Sequence, residues 1–142
     1  MPPEQDTGCV VQLRYASLPW GIGLVADHYW FVVTDQGSCC RWEVWQTADA
    51  GGHSIGHVHR DLKEPDAHVG GGPTRIAAVW HGVEARALRV VLERPEDYPH
   101  CHLYHYWPGP NSNTYAAWVL RKAGIEFRLP WRAIGATFST DD

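Results

Sequence analysis

The stretch Tyr106-Trp107-Pro108-Gly109-Pro110 constrains this chain more than any other, because two prolines around one glycine hold φ at about −65° and remove two amide donors. No helix runs through such a segment, and it makes a poor central strand. Asn111-Ser112-Asn113-Thr114 follows, four residues whose side chains cap helix N-termini well. Behind them, Tyr115-Ala-Ala-Trp-Val-Leu-Arg-Lys-Ala123 is rich in helix formers, and Gly124 stands where a helix would stop. The prediction is a rigid turn that delivers small polar groups to a helix start. There, free backbone amides and the macrodipole favour negative charge. Such a place suits a nucleophile or an anion, and a plain cap satisfies the same pattern.

Ahead of this segment the chain reads mostly as strand. Cys9–Tyr15 is β-prone, and Gly23–Thr34 is dense in β-branched and aromatic residues. Asp35-Gln36-Gly37-Ser38 signals a turn, and Cys39–Gln46 returns as a second strand. An even-numbered loop pairs positions that sum to 73. His28 then lies opposite Trp45 and Trp30 opposite Glu43, on one face with Val32 and Arg41, and Glu43 reaches either His28 diagonally or Arg41. An odd loop moves Arg41, Glu43 and Trp45 to the other face. Residues 47–74 are loop-rich with a short strand at His53–His59, residues 75–81 are apolar but short, and Glu84–Glu93 favours helix over strand. Cys101–Tyr106 is expected to be extended, and Ile125–Leu129 a short strand or extended segment.

Length and charge limit what such a chain does. A chain of 142 residues makes one domain, burying roughly 70% of its unfolded surface. We expect a tail at 1–8, a single α+β domain at 9–138 and a fraying tail at 139–142. A formal charge of −4 gives no general basis for binding nucleic acid. No apolar run of 18 residues predicts a membrane span, and the first residues lack a secretory signal. Cys9, Cys39, Cys40 and Cys101 show no C-x-x-C spacing and are expected as free thiols, which suits a cytoplasmic location.

Trp107-Pro-Gly-Pro-Asn-Ser-Asn-Thr-Tyr115, with Tyr98-Pro99 before it and Leu129-Pro130 and Ala133-Ile-Gly135 after it, resembles a bacterial family of unknown function marked by a W-P-G-P-N-S-N-T-aromatic motif. The strands His28–Val33 and Arg41-Trp-Glu-Val44 and the helix start Gly82–Ala85 are similar to that family too, and the likeness spans roughly 9–138. The family ends in I-G-K-D-aromatic, where this chain has Ile134-Gly-Ala-Thr-Phe138. More distantly, Asn111–Tyr115 resembles the helix start of the permuted papain-like enzymes (NlpC-like peptidases and lecithin retinol acyltransferase among them), with Ser112 where their cysteine stands. That resemblance implies a small antiparallel sheet packed against a helix, with His28 facing Ser112.

Acyl chemistry needs a nucleophile, a base beside it, a group orienting the base, and donors for an oxyanion. Ser112, His28 and Glu43 are the candidates for the first three roles, and Asn111, Asn113 and Thr114 for the fourth. Trp30, Arg41 and Trp107 are candidate pocket walls. The bland alternatives are a cap at Ser112, a packed strand histidine at His28 and a structural ion pair between Arg41 and Glu43. The chain holds nine histidines, and His53, His57 and His59, with His100, His102 and His105, raise a metal site. No Cys or carboxylate completes a familiar spacing, so no metal and no cofactor is expected. The expectation is an uncharacterised hydrolase or acyltransferase acting on an amide or ester of a small-molecule, peptide or lipid substrate. The alternative is a non-catalytic module that binds peptide, lipid or glycan in the same cleft.

Overall fold

A computed structural model describes residues 8–18, 26–50, 53–65, 67 and 72–140. Residues 1–7 of the expected N-terminal tail, Gly23–Val25 of the expected second strand, Gly70 and Gly71 of the glycine run and the last two residues lie outside them.

Alternation and turn chemistry build the centre of the sheet. β1 (Val10–Ser17) pairs antiparallel with β2 (Asp27–Asp35), which pairs antiparallel with β3 (Ser38–Val44). Gln36 and Gly37 carry φ of 50° and 84°, as a two-residue hairpin of the twist-compatible kind requires. The partners Phe31 with Trp42 through Asp35 with Ser38 all obey the even-loop register. β4 (His53–Ile55), β5 (Val58–Arg60) and β6 (Arg75–His81) extend the sheet, whose order is β4-β5-β3-β2-β1-β6. The short apolar run at 75–81 is thus an edge strand on β1.

α1 (Gly82–Leu92) turns Ala85, Leu88 and Leu92 inward and leaves Val83 and Val90 exposed. α2 (Ser112–Lys122) starts and stops close to where its sequence signals stand, with Ala123 as C-cap and Gly124 at φ 76° beyond it. The extended stretch 125–130 follows α2 without joining the sheet. Among the described residues the fold is therefore α+β, six antiparallel strands and two α-helices.

The two faces of β2 have different neighbours. Tyr29, Phe31 and Val33 point into the main core with Leu88, Trp118 and Leu120 from the helices. Their alternates Trp30 and Val32, with Ala16, form a smaller buried cluster on the opposite face. The turn after β5 covers that second face: the Trp30 indole N–H donates to Pro65 O at 3.2 Å, and Arg41 Nη1 donates to Glu64 O and Ala67 O, both at 2.8 Å. Full burial of a side chain the size of Trp30 or Phe31 contributes about 1.5–3 kcal/mol. β2 is consequently apolar on both sides, which explains its nearly unbroken hydrophobic run.

Ser139 and Thr140, assigned to a C-terminal tail by the sequence, are fastened to the domain. His100 Nε2 approaches Ser139 O at 3.3 Å, Arg121 Nη2 donates to the Thr140 hydroxyl, and Thr140 is buried.

Candidate functional site

Asn111 organises the mouth of α2. Its side-chain oxygen accepts from the amides of Asn113 (2.9 Å) and Thr114 (3.2 Å), and its own amide donates to Thr114 Oγ1 at 3.0 Å, a reciprocal capping box. Asn111 Nδ2 donates to Tyr106 O at 2.7 Å, tying the cap to the Pro-Gly-Pro turn. The cap is therefore Asn111, and Ser112 is the first helical residue. The amides of Asn113 and Thr114, expected to serve an oxyanion, are committed to this cap, as is the Asn111 side chain. Thr114 Oγ1 in turn donates to Gly135 O at 2.7 Å. All three residues position the segment.

Asn113 carries the cap across to β2. Its Oδ1 accepts from Tyr29 N at 3.1 Å, while its Nδ2 donates to Asp27 O at 2.7 Å and Ile134 O at 3.1 Å. One amide side chain thus clamps the peptide groups on both sides of His28. β2 is open to this clamp because the strands diverge there: the β2–β3 ladder starts at Phe31 and Trp42, and Trp45 N donates instead to His57 O. The turn at 132–135 closes from the other side, with Asp27 N donating to Arg132 O at 2.9 Å and the Arg132 guanidinium paired with Asp27 at 3.1 Å.

His28 and Glu43 meet on the second face of the sheet, as the diagonal register requires. His28 Nε2 lies 2.8 Å from Glu43 Oε1, and both side chains are buried. Arg41 grips the same carboxylate through both oxygens, Nη2 to Oε1 at 2.8 Å and Nε to Oε2 at 2.7 Å. The guanidinium also lies 4.0 Å over the Trp30 ring. Glu43 therefore holds His28 and Arg41 together, so the two sequence readings are not exclusive. Burial holds the His28 ring below its ordinary 6.5, against the opposing pull of Glu43. Burial alone would raise the Glu43 carboxyl, but the hydrogen bonds and charge of His28 and Arg41 more than reverse this and leave it below its ordinary 4.5. At neutral pH the array is an ionised carboxylate, a guanidinium and a neutral imidazole. Nε2–H then donates to Glu43, and Nδ1 keeps its lone pair.

His28 and Ser112 line one cavity of about 250 Å³, together with Leu18, Ala26, Trp45, Gln46, Tyr104, Tyr106, Asn111, Asn113 and Ile134. Ser112 is 7% exposed, and its hydroxyl lies 3.5 Å from Asn113 Oδ1, too long for a strong O–H···O bond. Trp30, Arg41 and Trp107 do not line this cavity. Trp30 and Arg41 are fully buried under the turn after β5, and Trp107 is 71% exposed. Trp45, whose ring is tilted 32° to that of His28 with centroids 4.4 Å apart, forms the aromatic wall with two tyrosines.

From Gly8 to Phe138 the sequence matches the family DUF3750, whose description is a protein of unknown function. The chain belongs to DUF3750. No curated protein and no solved structure matches it. The DUF3750 cavity includes a residue that the sequence did not single out, Gln46. Asn111 and Asn113 commit their side-chain amides to backbone carbonyls, whereas among the described residues Gln46 makes no side-chain hydrogen bond. Its place one residue beyond Trp45, just past the strand that carries Glu43, was the available signal.

Two of the clustered histidines bond within the fold. His57 Nδ1 lies 2.8 Å from Trp45 O, and His59 bridges Thr47 O (2.8 Å) and Ser54 Oγ (2.6 Å). Among the described residues, no three His, Cys, Asp or Glu side chains come together in a geometry for a metal ion. Cys9, Cys39, Cys40 and Cys101 are free thiols. No helix among the described residues is long and apolar enough to cross a membrane.

Proposed function

We propose that this DUF3750 domain is a serine-dependent acyl hydrolase or acyltransferase, with Ser112 as nucleophile, His28 as base and Glu43 as the group that orients the base. The supporting observation is the Asn113 clamp, which joins the residue after Ser112 to both peptide groups flanking His28 beside a shared cavity. In this reading His28 Nδ1 takes the hydroxyl proton as Ser112 Oγ bonds to the acyl carbon. The same proton passes to the departing alcohol or amine, and water then releases the acyl group by the reverse path. The Ser112 amide, first in α2 and without an intrahelical partner, is one donor for the oxyanion, and the Gln46 side chain is the second. The order His28, Glu43, Ser112 along the chain agrees with a permuted papain-like arrangement, in which serine replaces the usual thiol. A neutral imidazole held by a buried carboxylate is what a serine needs, because its hydroxyl does not ionise as a thiol does.

A fluorophosphonate probe tests the reading. Labelling is expected at Ser112, lost in Ser112→Ala and reduced at least about a hundredfold in His28→Ala, as removal of a base from a catalytic unit requires. Labelling that survives His28→Ala in a folded protein overturns it.

A second reading, a non-catalytic binding module, draws on the full commitment of Asn111, Asn113 and Thr114 to the cap. It predicts ligand binding in the cavity without covalent capture by Ser112.

A further inference from the structure

The cavity's chemistry narrows the group it accepts. Its walls are Leu18, Ala26, Trp45, Tyr104, Tyr106 and Ile134, and among the described residues no Asp, Glu, Lys or Arg lines it. The charges near it are Glu43 paired with Arg41 beneath His28, Asp27 paired with Arg132 at the start of β2, and Lys63, whose ammonium lies 5.3 Å from the Trp45 ring centroid and does not line the cavity. Burial also holds the Tyr104 phenol neutral, its pKa pushed up to about 12. A carboxylate, phosphate or ammonium entering this space would lose its water and find no counter-charge, a cost that rises steeply with burial. The volume, about 250 Å³, is below the range of about 300–1,000 Å³ that holds drug-sized ligands.

We infer that the cavity takes a short, uncharged acyl group, a few-carbon chain or one aromatic ring, presented as a neutral ester or amide. This rests on the reading of Ser112 and His28 as the reacting pair. The apolar walls desolvate the chain, and the Gln46 side chain and the Ser112 amide are donors for its carbonyl oxygen. A long fatty chain is disfavoured by the volume, and an acidic acyl group by the lack of a cation among the described residues that line it.

Two measurements separate the inference from the reading beneath it. Full-length chain is assayed on p-nitrophenyl butyrate, laurate and hemisuccinate. In parallel, Ser112→Ala chain is titrated with butyramide, succinamate and lauramide, following the indole resonance of Trp45. The butyryl compounds are expected to win in both series, at least about tenfold over the charged congener, the ratio set by burying one unpaired charge. Preference for the succinyl or lauroyl compounds in either series overturns the inference, and so does failure of the Ser112→Ala chain to bind any amide. If that chain prefers butyramide while no ester is turned over, the cavity inference stands and the nucleophile reading falls.

Discussion

Glu43 is the residue on which the site's electrostatics depend. It is fully buried, carries a negative charge, and is stable there because Arg41 meets both oxygens and His28 donates a third contact. Removing the cation alone strands that charge. Arg41→Met is expected to cost about 3–5 kcal/mol, whereas Arg41→Met with Glu43→Leu recovers most of it. Urea denaturation midpoints of the two variants check this, and equal loss in both refutes the pairing argument. Gly135 is a second such residue. Its φ is 96°, and a Cβ there would stand 2.4 Å from the Asn111 side-chain amide. Gly135→Ala therefore strains the backbone and pushes on the cap at once, with an expected loss of about 1–3 kcal/mol by thermal denaturation.

At the scale of elements, the start of α2 divides its labour among neighbours that look interchangeable in sequence. Asn111 caps, Thr114 completes the box, Asn113 bridges to β2, and Ser112 faces the cavity. Asn111→Ala is expected to lose about 1–2 kcal/mol, because two helix amides and the Tyr106 carbonyl all lose their partner. Ser112→Ala is expected to change stability by no more than about 0.5 kcal/mol, since its hydroxyl makes no short bond within the fold. If Ser112→Ala proves the costlier of the two in calorimetry, the serine is structural. The hairpin of β2 and β3 shows the opposite behaviour, with one rule of pairing placing every residue. Its two-residue turn puts Glu43 diagonal to His28, and an inserted residue after Gly37 would turn Glu43 away from it.

Across the whole molecule, buried imidazoles set the acid limit of stability. Burial lowers both His28 and His59 below their ordinary 6.5. Both are neutral in the folded state and take up protons more readily when unfolded. Their contribution is therefore complete above about pH 6.5 and is lost as pH falls toward the depressed folded values. Glu43 adds to the loss further down, below its ordinary 4.5. Denaturation midpoints are expected to hold steady from pH 8 to 7 and to fall between pH 6.5 and 5, with a shallower fall in His59→Gln. A flat profile to pH 5 would mean that these rings take up protons as readily in the folded protein as in the unfolded chain. His59 belongs to β5 rather than the cavity, so this change in stability is separable from any pH dependence of catalysis.

What the sequence determined by itself was local: a hairpin turning near Gln36 and Gly37 with two possible registers, one of which brings Glu43 diagonal to His28, and the span of α2 behind a run of capping residues. Each follows from a period of two, a turn of two residues or a helix terminus, and such preferences act over a handful of positions. Only the tertiary structure decided that Asn113 bonds to residues 84 and 86 positions earlier, that the turn after β5 seals Trp30 and Arg41 away, and that Tyr104, Tyr106 and Gln46 wall the cavity instead of Trp107. Those outcomes depend on which side chains meet when distant segments pack, and no local pattern encodes the direction of a side chain toward a neighbour it has yet to acquire.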